Sequence, residues 1–198
     1  MLLYFLLAQQ TALLLELLGR PLHVPLSVYD PADRDLEGEA LRRPELLSEI
    51  WQAVKHYEIT CRAKPDSRDP EARVRVADAL YAQGAIETVE LNHEELRLAA
   101  ELQSRHGAKA HGIRAPLGPG EAACVAIAWS RGWTLVTDDS DALRVLEQLS
   151  RKRQHPYERI RKLLIRAALS ELVTREQANQ IHGGMRGFGF WDSTPPFP

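Results

Sequence analysis

Four carboxylates in the middle of the chain stand where they could act together. Glu121 follows Gly118-Pro119-Gly120 at the head of an apolar run that reaches Trp129. Asp138, Asp139 and Asp141 come directly after Trp133-Thr134-Leu135-Val136-Thr137, with no Lys or Arg among them. Carboxylates held close together repel, and the pKa of one rises unless a cation neutralises them. A hard divalent ion bound through oxygen would do that. Such an ion can also activate a water and stabilise charge on a phosphate in transfer. Each acid has a plainer use as well. Glu121 favours a helix N-terminus by about 0.3–1 kcal/mol, and Asp139 or Ser140 can serve as an N-cap.

The elements that must position these acids are legible. Gly118-Pro119-Gly120 reads as a turn, Glu121 as the opening of a helix with its body at Ala123 to Trp129, and Gly132 as its stop. Trp133 to Thr137 reads as a short buried strand, and the aspartates lead into a helix from Ala142 to Leu149. This arrangement puts an acid cluster at the carboxyl end of a strand, where open α/β sheets bind their ligands.

The rest of the chain supplies a frame. At 198 residues it is long enough for one domain and an appendage. Its net charge of −2 creates no general basic field, so any nucleic-acid contact must be local. Cys61 and Cys124 are the only cysteines and show no metal or disulfide spacing, which suits a reducing, cytoplasmic setting. Met1 to Leu18 is almost wholly apolar and just at the lower length of a membrane span. It has no basic flank, no cleavage site, and a charge at Glu16. It reads as buried helical turns on either side of Gln9-Gln10, ending at Gly19, with no membrane role.

Pro21 to Val28 reads as a strand bounded by prolines, and Asp30 to Arg43 as a charged, irregular surface loop. Pro44 to Glu58 is a helix whose buried face is Leu46, Leu47, Ile50, Trp51 and Val54, with Glu49 beside that face. Cys61 to Pro70 is a loop, Glu71 to Gln83 a helix with Val74, Val76, Ala77 and Leu80 on its apolar side, and Ala85 to Leu91 a strand. Asn92 with Glu95 forms a capping box for a helix running to about His106. Gly107 to Pro116 reads as a loop, with His106 and His111 facing solvent rather than binding metal. Ile160, Leu163, Leu164, Ala167 and Ala168 mark an amphipathic helix with a basic face that includes Arg159, Arg161, Lys162 and Arg166. Thr174 and Gln177 fit a capping box for a short helix through Ile181. The tail from Gly183 is rich in glycine, proline and aromatics, and Phe188, Phe190 and Trp191 are expected to pack on the domain or on a second copy.

Gly118-Pro119-Gly120-Glu121-Ala122-Ala123 with Leu135-Val136-Thr137-Asp138-Asp139 resembles the core motif of the PIN domain family, in the branch with a G-x-G-E helix start. The resemblance implies an α/β fold: a three-layer α/β/α sandwich on a parallel central sheet, spanning residues 1–150, with a helical and aromatic extension over 151–198. It implies a Mg²⁺- or Mn²⁺-dependent ribonuclease, of the kind found as the toxin of a toxin–antitoxin pair. Glu121 and Asp138 would be catalytic acids and metal ligands, with Asp139 or Asp141 assisting. Glu49 is the best match for a further catalytic acid, and Asp30 the alternative. Arg159, Arg161 and Lys162 would contact RNA. An antitoxin protein and a second copy of the chain are the other partners implied. The family begins with a buried strand ending in an Asp, and Met1-Leu2-Leu3-Tyr4-Phe5 resembles the segment that leads from that strand into the first helix. The expectation is a strand and an Asp upstream of Met1. A PIN-like binding module without catalysis is the alternative reading.

Overall fold

A computed structural model of the chain describes residues 1–19, 21–36, 47–53, 70–150 and 155–198. It is a mixed α/β protein with two compact units: residues 1–23, 31–87 and 160–198 form one, and residues 24–30 and 88–159 the other.

In the first unit, α1 (Leu2–Leu7) and α2 (Thr11–Leu18) flank Gln9-Gln10, and Gly19 ends α2 in a backbone conformation suited to glycine. Phe5, Leu6, Leu7, Leu13, Leu14 and Leu15 are buried, as the apolar run predicts. Among the described residues no helix is long and apolar enough to cross a membrane. The expected loop after Asp30 is instead a 3-10 helix, Pro31–Leu36. Asp33 is buried there, and its Oδ2 accepts the N–H of Ser48 at 2.7 Å. Residues 49–53 are helical, and Leu47, Ile50 and Trp51 are buried. Leu46 and Val54 lie outside the described residues, as do Cys61 to Asp69. Helix α3 (Pro70–Ala82) follows. Ala77 is buried, but Val76, placed on the apolar side by its spacing, is exposed.

Helices α8 (Ile160–Leu169) and α9 (Arg175–Arg186) complete this unit. Helix α8 buries Ile160, Leu163, Leu164 and Ala167, as its period predicts, and it packs on α2 and α9. Helix α9 starts at the expected capping box but continues past Ile181, through Gly183 and Gly184. The tail then folds back onto α1. Phe190 is buried, with its ring centroid 5.2 Å from Tyr4 and 5.5 Å from His182. Trp191 remains 63% exposed.

Strand β1 (Leu22–Pro25) is shorter than its sequence signal, because the chain turns at Leu26. It is the hydrogen-bonded neighbour of β2 (Ile86–Val89). In the second unit, α4 (His93–Leu102) begins at the Asn92–Glu95 capping box. It stops at Gln103 rather than near His106, because Ser104 caps a separate helix, α5 (Arg105–Ala110), where a loop is expected from the sequence. Helix α6 (Pro119–Arg131) packs on α4. Strand β3 (Leu135–Val136) leads to α7 (Ser140–Leu149). A strand with no sequence signal, β4 (Tyr157–Glu158), pairs with β3 in parallel, Leu135 opposite Tyr157. The core of this unit is a single cluster that includes Leu102, Ile113, Leu117, Val125, Leu135, Leu143 and Leu146.

Candidate active site

The carboxylates sit where short-range rules put them. Gly118 is the N-cap of α6 and Pro119 its first residue, so the Gly-Pro-Gly sequence begins the helix rather than preceding it. Glu121 is then the third helical residue, and its Oε2 accepts the N–H of Gly118 at 3.2 Å. Gly132 closes the helix with a φ of 70°, which glycine adopts without strain.

Strand β3 ends at its pairing with β4. Leu135 N donates to Pro156 O and Thr137 N to Glu158 O, each at 3.0 Å. Asp138 comes next and is only 8% exposed. Asp139 caps α7: its Oδ1 accepts the N–H of Ala142 at 2.6 Å, and its own N–H donates to Thr137 Oγ1 at 3.2 Å. Asp141 lies in the first turn of α7 and is half-buried. Asp138, Asp139 and Asp141 thus all lie on the strand-to-helix corner. Glu121 belongs to α6, which packs against both β3 and α7.

Asp30 is half-buried and belongs to the same compact unit as these acids; Glu49, also half-buried, belongs to the other. The basic residues divide as well. Arg159 is half-buried in the unit of the acids, while Arg161 and Lys162 are exposed on α8 in the other. Arg161 donates Nε to Pro195 O at 3.1 Å, and Arg166 donates Nη2 to Leu17 O at 2.7 Å. Arg151, Lys152 and Arg153 lie outside the described residues.

Two charged features carry no short-range signal. Glu95, recognisable as a cap, also holds Arg131 in an ion pair. Arg131 keeps the Glu95 carboxyl below the usual range, chiefly by hydrogen bonding and against the cost of burial. His182 is 2% exposed, and burial pushes its pKa down.

A family model for the PIN domain matches residues 29–149. The chain belongs to the PIN domain family. Neither curated proteins nor solved structures gave a match. Membership brings a nuclease-like fold, and PIN domains are generally dependent on divalent metal and commonly bind RNA. The match covers Asp30, Glu49, Glu121 and all three aspartates, and stops before the basic helix α8.

Among the described residues no three His, Cys, Asp or Glu side chains cluster closely enough to form a metal cage. Mg²⁺ does not need one: it keeps several waters and is commonly held by one or two carboxylates. The corner offers oxygen donors only. The backbone bonds of Glu121 and Asp139 each engage one carboxylate oxygen. Oxygen donors of this kind are what a hydrated hard cation takes.

Proposed function

We propose that this PIN protein hydrolyses phosphodiester bonds in RNA in a Mg²⁺- or Mn²⁺-dependent way. The observation that carries the reading is Asp138, a nearly buried carboxylate at the carboxyl end of β3. The carboxyl ends of strands are where open α/β sheets bind their ligands. Asp138 and Glu121 would hold the ion, with Asp139 or Asp141 assisting, and Glu49 or Asp30 is the further acid. When bound, the ion supplies charge neutralisation at a scissile phosphate and lowers the pKa of a coordinated water. Asp138 fixes the position of that charge, since β3 and the capped start of α7 hold its backbone on both sides. Asp139 keeps the corner rigid by capping α7. Arg159, Arg161 and Lys162 would neutralise flanking phosphates.

The test is cleavage of a single-stranded RNA with Mg²⁺ or Mn²⁺ against chelator. Cleavage by the parent protein, absent with chelator and lost in Asp138→Asn, supports the reading. An inactive parent under all these conditions sinks it. If the chain is the toxin of a toxin–antitoxin pair, its expression arrests growth and Asp138→Asn relieves the arrest.

A binding module without catalysis is the second reading. It is favoured by the capping bonds of Glu121 and Asp139, which give both residues a structural use. It requires salt-sensitive RNA binding that survives Asp138→Asn and weakens when Arg159, Arg161 and Lys162 become Ala.

A further inference from the structure

One face of α9 carries Arg175, Asn179, His182 and Arg186, spaced so that they follow one another along the helix. Residues 190–197 run along this face, back toward the start of α9: Phe190 meets His182, and Phe197 meets Asn179 and Arg175. Asn179 pairs with the main chain of Phe197 through both ends of its carboxamide. Its Oδ1 accepts the Phe197 N–H and its Nδ2 donates to the Phe197 carbonyl, each at 3.1 Å. From the neighbouring α8, Arg161 donates Nε to Pro195 O at 3.1 Å. The Arg175 guanidinium lies over the Phe197 ring, 5.3 Å from its centroid. Pro196, between these contacts, is buried.

These contacts are those of a receptor with an extended peptide. Pro195, Pro196 and Pro198 have no N–H, so from Pro195 to Pro198 only Phe197 can donate from the main chain, and Asn179 takes that donor. The segment forms no helix or strand, and its prolines favour an extended chain without internal hydrogen bonds. Asn179 and Arg161 read main-chain groups, which every peptide has; Pro196 and Phe197 add the sequence preference. Trp191, Ser193, Thr194 and Pro195 are exposed. Charge adds a further preference. Arg161, Arg175 and Arg186 are all exposed, whereas residues 191–198 bring one acidic side chain, Asp192.

We propose that this face of α9, together with Arg161 of α8, is a peptide-recognition site for an extended, proline-rich and acidic segment of another protein, and that residues 192–198 are its resident ligand. Asn179 sets the register by pairing with one residue's N–H and C=O. Arg175 takes an aromatic ring, and Arg161 and Arg186 take carboxylates. A proline-rich segment is already extended, so it loses little freedom on binding. The N–H and C=O that Asn179 spans belong to a single residue, a pairing that peptide main chain offers and a phosphate backbone does not. The proposal is independent of the reading that the chain acts on RNA, although both use Arg161.

The probe is a fluorescent peptide with the sequence of residues 192–198, titrated by anisotropy into the parent protein and into one truncated after Trp191, which keeps the buried Phe190. We expect the truncated protein to bind the probe. The parent should bind it at least about tenfold more weakly, because its own segment competes at a high effective concentration. Asn179→Ala in the truncated protein should weaken binding about tenfold. A probe carrying Ser193→Glu and Thr194→Glu should bind more tightly, and lose that gain at high salt. A truncated protein that melts cooperatively yet binds no probe overturns the site. So does equal binding by parent and truncated protein, or binding that Asn179→Ala leaves unchanged. If truncation unfolds the protein, full-length Phe197→Ala takes its place: it should bind the probe more tightly than the parent, and binding no tighter overturns the site. A parent dimer in sedimentation that Phe197→Ala dissolves would reassign the face to the tail of a second copy.

Discussion

The carboxylate of Glu95 takes both hydrogen bonds of an Arg131 fork, Nε to Oε1 at 2.7 Å and Nη2 to Oε2 at 2.8 Å. The same Oε2 accepts Asn92 N–H at 2.8 Å, so one side chain both caps α4 and ties it to α6. Glu95 is 1% exposed, and Arg131 is held further by Glu90 O and by the ring of Trp133. Removing Arg131 leaves the Glu95 carboxylate without its cation, and since Arg131 is itself partly exposed, Arg131→Met should cost about 1–3 kcal/mol in denaturant unfolding. Arg131→Met combined with Glu95→Leu should lose less than the sum of the two single changes. Because Arg131 depresses the Glu95 pKa, the pair's stabilisation is present above the ordinary value of 4.5 and fades as pH falls through the depressed one.

Gly107 is required where α4 and α5 meet. A Cβ there would stand 2.0 Å from the carbonyl oxygen of Glu101, a backbone atom that cannot swing aside. Gly107→Ala should destabilise by about 1–3 kcal/mol, the range for overpacking, as a lowered denaturant midpoint. An unchanged midpoint would refute the close approach.

Substitutions at Asp138 and Asp139 separate the proposed chemistry from the capping of α7. Asp139→Asn keeps the cap, since Asn and Asp serve about equally well there, whereas Asp139→Ala should cost about 0.5–2 kcal/mol. Asp138→Asn should abolish cleavage. Activity retained in Asp139→Asn makes Asp139 a cap alone; activity lost with stability retained makes it part of the acid site.

His182 gives the first unit a dependence on pH. Burial lowers its pKa, Asp192 opposes that, and Arg186 and Arg161 add to it. The unfolded chain then takes up the proton first. Stability is full above the ordinary value of 6.5 and falls as pH drops toward the depressed folded value. Thermal melting from pH 7.5 to 5 should show this slope, and His182→Met should flatten it.

Of the neighbouring Phe190 and Trp191, only the first is buried. Phe190 is buried between Tyr4 and His182, so Phe190→Ala should cost about 3 kcal/mol or more. Trp191 is mostly exposed, and Trp191→Ala should stay within about 0.5 kcal/mol. Equal effects of the two in thermal melts would contradict the packing.

Local rules sufficed wherever the cause was local. The break at Gln9-Gln10, the caps at Asn92 and Thr174, the stop at Gly132 and the buried face of α8 each follow from a few neighbouring residues. So does the strand-to-helix corner on which the aspartates lie, because a two-residue strand and an Asp cap suffice to make it. Distant partners decided the rest. Strand β4 exists because its backbone pairs with β3, about twenty residues earlier in sequence, and Tyr157-Glu158 alone carries no alternating pattern. Asp33 is buried because the N–H of Ser48 reaches it, and Arg131 is fixed by Glu95 across 36 positions. Val76, apolar and correctly spaced, lies in solvent because periodicity marks a helix face but not whether another element covers it. Sequence by itself determined the family and the main helices; tertiary structure decided which polar groups are buried, since a partner remote in the chain leaves no local trace.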